Sequence, residues 1–72
     1  MNMDMWQVTL QAVDNLVDET SFFCRSRLDA MLTVAEFKKF KPDRIKNEEH
    51  MTGTAEKNGL THEWAIDLVP AA

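Results

Sequence analysis

The most chemically reactive side chains of this sequence are one cysteine and two histidines: Cys24, His50 and His62. A structural zinc site draws its ligands from pairs spaced two to four residues apart, and these three residues form no such pair. Cysteine–histidine catalysis requires an exposed thiol beside a base. Cys24 falls on an apolar helical stripe, where a thiol packs as a small hydrophobe. We therefore expect no metal, no cofactor and no enzymatic activity.

The charged residues are sorted into three blocks. Residues 1–24 contain four acidic residues and no basic one, residues 25–46 contain seven basic residues against three acidic ones, and residues 47–72 contain five acidic residues against one lysine. Such segregation indicates what a protein binds more than how it folds. The overall pI of 4.9 argues against a dedicated nucleic-acid binder.

The central block contains a basic cluster interleaved with Phe37 and Phe40. Its members are Lys38, Lys39, Lys41, Arg44 and Lys46. One interpretation is an anion-binding patch for phosphates, for an acidic protein or for a second copy of the chain. The other, which we favour, is the solvated C-terminal end of a helix whose phenylalanines face the core.

The N-terminal block is predicted to form a helix over residues about 3–18. Its apolar stripe falls at helical spacing: Met3, Trp6, Leu10, Val13 and Val17. A strand over residues 6–12 is the alternative, because apolar and polar residues alternate there, but the alternation fails at Val13. The stripe and the apolar residues beside it cover about half of the circumference of this predicted helix. Trp6, Leu10 and Val13 are therefore a candidate interface with a partner or a second copy.

Three carboxylates lie on the opposite face of this predicted helix: Asp4, Asp14 and Asp18. A row of carboxylates can imitate DNA phosphates and occupy a protein's DNA-binding groove. This row is short and irregular, so a solvated face is the favoured interpretation over a DNA mimic.

Two further helices are predicted in the middle of the chain. The first covers residues about 20–32, begins at Thr20-Ser21 and buries a stripe of Cys24, Leu28, Met31 and Ala35. The second is a short helix over residues about 33–41, which starts at a capping box of Thr33 and Glu36 and stops before Pro42. For residues 43–50 the sequence is compatible with either a helical turn or a loop.

The C-terminal third predicts a β-hairpin over residues about 51–69. Asn58-Gly59 is a strong hairpin-turn signal, and an alternating row of residues after it is expected to face inward: Leu60, His62, Trp64, Ile66 and Leu68. The strand before the turn is the weaker prediction, since Gly53 lies within it.

These elements predict an α+β fold: a small single domain of residues 1–72, with two to three helices followed by the C-terminal hairpin. Over residues about 20–69 this order resembles a winged helix-turn-helix domain. The resemblance implies a recognition helix around 43–51 and a wing at the hairpin turn. The chain departs from that pattern because the expected recognition helix carries Asp43, Glu48 and Glu49, and the wing offers only Lys57.

The favoured function is a small non-enzymatic protein-binding module, an accessory regulator or inhibitor of the kind found in phages and mobile elements. Another protein is the expected partner, and a homodimer is possible. The alternative is a winged-helix DNA-binding regulator that uses the basic cluster and the hairpin of residues 52–60. A single cysteine and the lack of a signal peptide or membrane span predict a cytoplasmic protein without membrane contact.

Overall fold

The computed structural model describes residues 4–43 and 49–70, apart from the side chains of residues 15–18. These residues form a five-stranded sheet and one helix, in which every pair of neighbouring strands is antiparallel. The strand order is β2-β1-β5-β4-β3. The elements are β1 (Met5–Ala12), β2 (Asn15–Cys24), α1 (Arg27–Ala35), β3 (Lys38–Pro42), β4 (His50–Lys57) and β5 (Leu60–Val69).

The helix α1 connects the two edges of the sheet. β2 and β3 lie at opposite edges, and α1 crosses one face of the sheet between them, in contact with β1, β2, β3 and β5. We call the side on which α1 lies the helix face and the other side the open face. Among the described residues no helix or further strand covers the open face.

The prediction of two to three helices is wrong, and the N-terminal helix is replaced by a β-hairpin. Val13 and Asp14 form the turn between β1 and β2, and Val13 N–H donates to the carbonyl oxygen of Thr61 at 3.0 Å. The alternation of residues 6–12 stopped at Val13 because the strand ends there. Val8, Leu10 and Ala12 face the core, with exposures of 2% or less.

The predicted helices over 20–32 and 33–41 are also wrong in their bounds. Residues up to Cys24 belong to β2, and a single helix begins at the N-cap Ser26, whose Oγ accepts a hydrogen bond from Asp29 N–H at 3.1 Å. Thr33 caps nothing, because it lies inside α1 and its hydroxyl donates to the Asp29 carbonyl oxygen at 2.7 Å. The residues that follow α1 form the edge strand β3.

The C-terminal hairpin is present at the predicted place. β4 pairs with β5 from His50 opposite Asp67 to Lys57 opposite Leu60, and Asn58-Gly59 forms the turn with both residues at positive φ. Within the predicted inward row, three residues are buried to 1% exposure or less: His62, Trp64 and Ile66.

Gly53 is in β4 because the indole of Trp64 lies over it. A Cβ at this position would overlap Cζ2 of Trp64 and the carbonyl oxygen of Lys41. The indole N–H donates to the Thr54 carbonyl oxygen at 3.0 Å, and the ring stacks on Phe40 with a centroid separation of 5.3 Å. The glycine that weakened the strand prediction therefore makes room for the largest side chain of the core.

The helix presents small side chains to the sheet. Ala30 and Val34 are its buried residues and join a core built from Val8, Leu10 and Ile66, among others. The stripe predicted to be buried is instead partly outward, since Leu28 is 67% exposed. No helix in the described part of the chain is long and apolar enough to cross a membrane.

Candidate interaction surfaces

The three residues with metal-binding or nucleophilic side chains lie in different surroundings. His50 is on the open face, where its Nδ1 pairs with Oδ1 of Asp67 on the neighbouring strand. His62 is buried on the helix face, and its Nδ1 donates to the Leu60 carbonyl oxygen at 2.9 Å. Cys24 is half-buried at the end of β2. In residues 4–43 and 49–70, no three His, Cys, Asp or Glu residues are grouped so as to hold a metal ion.

The part of the basic cluster that the structure describes forms one edge of the sheet. Lys38, Lys39 and Lys41 are exposed on β3, whereas Arg44 and Lys46 lie outside the described residues. Lys39 Nζ is 3.1 Å from a carboxylate oxygen of Glu56, and Lys38 lies opposite the same residue in the strand register. Glu56 thus offsets part of the charge of Lys39.

The phenylalanines of this cluster belong to the core and not to a binding surface. Phe40 stacks on Trp64, and Phe37 packs partly buried against the same core. The favoured interpretation located these rings correctly. The predicted helix end is wrong, because these residues form an edge strand. The strand register is irregular between Lys38 and Lys41, where Lys39 adopts a φ of 54°.

The predicted acidic row has no helical face to lie on. Asp4 precedes β1, and Asp14 is in the turn that follows β1, so the two carboxylates lie at opposite ends of one strand. Asp18 belongs to β2, but its side chain lies outside the described residues.

The predicted apolar interface is divided between the core and the surface. Leu10 is fully buried, and Trp6 packs half-buried against the core. Val13 is 48% exposed in the β1–β2 turn. The helical face that was to group these residues does not exist.

Two exposed apolar side chains lie next to each other on α1. Leu28 and Leu32 are separated by one helical turn and are 67% and 56% exposed. Residues at i and i+4 lie one above the other on a helix, so these two leucines form a continuous strip, which we call the apolar ridge. Leu28 was predicted from its helical spacing to lie in the core, and this prediction is wrong.

The middle of the open face of the sheet is polar. Its middle rows carry short side chains, with Ser21 opposite Thr9 and Thr9 opposite Ala65, and Gln7 Nε2 donates to Ser21 Oγ at 3.0 Å. An open depression of about 340 Å³ lies on this face. It is lined by Thr9, Gln11, Asp43, Thr52, Gly53, Thr54, Glu63, Trp64 and Ala65. This lining contains neither a histidine nor a cysteine.

Comparison with known protein families, curated proteins and solved structures finds no match to this chain.

Proposed function

We propose that this chain is a small non-enzymatic protein-binding module that regulates or inhibits another macromolecule, and that it contacts its partner through the apolar ridge. The observation that carries the proposal is the exposure of Leu28 and Leu32 on a helix that already has a buried side. Scattered exposed leucines are common on protein surfaces, but two leucines one turn apart form the recognition pattern of a helix that enters an apolar groove.

The ridge supplies useful but limited binding energy. Full burial of a leucine side chain contributes on the order of 2 kcal/mol, so covering the exposed parts of both leucines contributes roughly 2–3 kcal/mol. A micromolar complex requires about 8 kcal/mol, and the polar surroundings of the ridge must supply the rest of the contact.

The DNA-binding alternative has less support than the protein-binding function. The resemblance to a winged helix depended on a helix-turn-helix; the described residues contain one helix, and residues 44–48 of the expected recognition helix lie outside them. Lys39 at the β3 edge pairs with Glu56, and the chain carries a net charge of −4. We therefore prefer the protein-binding function to this alternative.

The test compares two charged variants of the immobilised protein in a lysate of the cell that encodes it. Leu28→Lys combined with Leu32→Lys alters the ridge, and Leu60→Lys is the matched control, because Leu60 is 49% exposed beside the hairpin turn. All three positions are exposed enough that the fold should persist, which circular dichroism checks.

We expect wild type and the Leu60 variant to retain the same protein, identified by mass spectrometry, and the ridge variant to lose it. Nuclease treatment should leave the capture unchanged, and the activity of the captured protein should change when the purified module is added. Equal capture by the ridge variant, or capture that nuclease abolishes, contradicts the proposal.

A further inference from the structure

The two edges of the sheet are built differently. β3 is five residues long, contains three exposed lysines and Pro42, and has a register irregularity in its middle. Each of these features prevents another strand from adding to an edge. β2 is ten residues long, and between Glu19 and Cys24 it pairs with β1 without irregularity. One edge is thus protected and the other is left available for pairing.

The available edge also carries exposed apolar surface. Phe23 is 57% exposed on the open face, and Phe22 on the helix face is half-buried. The outer side of a strand at a sheet edge presents a row of backbone N–H and C=O groups that no neighbouring strand satisfies. Aromatic side chains beside such a row favour a strand as the occupant, because cross-strand aromatic pairs stabilise a sheet.

The charges of β2 indicate that the occupant is a second copy of β2. Glu19 is exposed within the strand, and Arg25 is exposed just after it. The side chain of neither residue takes part in an ion pair or hydrogen bond among the residues that the structure describes. When two copies of this strand pair antiparallel, the acidic residue before the centre of one copy lies near the basic residue after the centre of the other.

We propose that two copies of the chain pair antiparallel through their β2 edges, with Phe22 of each copy opposite Phe22 of the other. In this register Glu19 of one copy lies opposite Arg25 of the other, and the contact occurs twice because of the two-fold symmetry. Phe23 lies opposite Ser21 and diagonal to the second Phe23, which is within reach of an aromatic side chain. Moving the centre by one residue, to Ser21, places Glu19 opposite Phe23 and leaves both charges without a partner.

The dimer has one continuous sheet with both α1 helices on the same face. A two-fold axis perpendicular to the sheet preserves its faces, so the two apolar ridges lie side by side on one surface. The surface proposed to bind a partner protein is then presented twice.

The test exchanges the charges of the proposed pair. Glu19→Arg brings two arginines together at each of the two contacts, and Arg25→Glu brings two glutamates together. Each change converts two attractive cross-strand pairs into two repulsive ones, which should weaken the dimer by about ten- to thirtyfold. Mixed in equal amounts, the two variants should form a heterodimer of wild-type strength, because both of its contacts are again of opposite charge.

Sedimentation equilibrium measures these changes, and the wild type should show about twice the 8.3 kDa chain mass. Glu63→Arg is the matched control, since Glu63 is exposed on β5, away from the edge, and the variant should dimerise like the wild type. Restoration in the mixture also shows that both variants are folded.

Three results would overturn the proposal. The first is a wild-type chain that remains monomeric up to about 1 mM, a dissociation constant that corresponds to only about 4 kcal/mol. The second is a dimer that the charge variants do not weaken, or that their mixture does not restore. The third is a dimer that is lost when Leu28 and Leu32 are changed to lysine, which would place the second copy on the apolar ridge.

Discussion

Gly53→Ala tests the packing at the centre of the sheet. The new methyl group would overlap the indole of Trp64 and the carbonyl oxygen of Lys41, with the Cε2 atom of the indole 2.6 Å away. The indole could tilt away, but its N–H would then leave the Thr54 carbonyl oxygen, and its stacking on Phe40 would be lost. The overlap with the Lys41 oxygen is relieved only if β3 moves away from β4.

The cost follows from these contacts. Overpacking a buried site destabilises a protein by about 1–3 kcal/mol, and the loss of one hydrogen bond adds about 1 kcal/mol. Alanine lowers the entropy of the unfolded chain relative to glycine, which returns about 0.4–1 kcal/mol. We expect the free energy of unfolding to fall by roughly 2–3 kcal/mol. In a domain of this size the corresponding fall in Tm is about 10–20 °C.

Urea denaturation followed by circular dichroism and tryptophan fluorescence measures this change. Gly59→Ala is the matched control, because its Cβ would meet nothing within 4 Å and only the φ of 79° is unfavourable, at a cost of about 1 kcal/mol. The cost of Gly53→Ala should also shrink in a Trp64→Phe background, since the smaller ring leaves room for the methyl group. If Gly53→Ala is neutral or stabilising, the close approach of Trp64 to β4 is refuted.

Three further predictions concern the helix start, the β3 edge and nucleic acid. Ser26→Ala should destabilise the protein by about 1 kcal/mol through loss of the N-cap, whereas Thr33→Ala should cost only a few tenths; equal losses in urea titrations would contradict this order. Lys39→Gly should leave Tm within about 5 °C of wild type, because relief of the left-handed conformation contributes about 1 kcal/mol, while the greater entropy of the unfolded chain with glycine and the lost contact with Glu56 together cost about as much; a larger shift in either direction would contradict this balance. In fluorescence anisotropy at ~150 mM salt, duplex DNA should bind no more tightly than the non-specific range of roughly 10⁻⁴–10⁻⁶ M, and nanomolar binding would return the DNA-binding function to consideration.

The C-terminal hairpin was predictable because its signals are local. Asn58-Gly59 requires two residues at positive φ, and the alternation after it assigns one row of side chains to the core without reference to the rest of the chain. The exact partner of that hairpin was not predictable. That β1 lies beside β5 depends on contacts between residues fifty or more positions apart.

The N-terminal region was ambiguous in the sequence. Trp6, Leu10 and Val13 fit a helical stripe, while residues 6–12 also alternate as a strand. The tertiary structure decided in favour of the strand, because β1 lies between β2 and β5 and its backbone groups hydrogen-bond on both sides. A helix at this position would leave the inner edge of β5 unpaired.

The apolar ridge could not be predicted from the sequence alone either. The sequence determines that residues 27–35 contain enough apolar residues at helical spacing for an amphipathic helix, but several faces of that helix are apolar. Only the sheet beneath it selects Ala30 and Val34 as the buried residues, because a core already filled by Trp64 and Leu10 leaves room for small side chains at the contact. The larger leucines are therefore left outside, and which surface this protein offers to a partner is a property of its packing rather than of any local pattern.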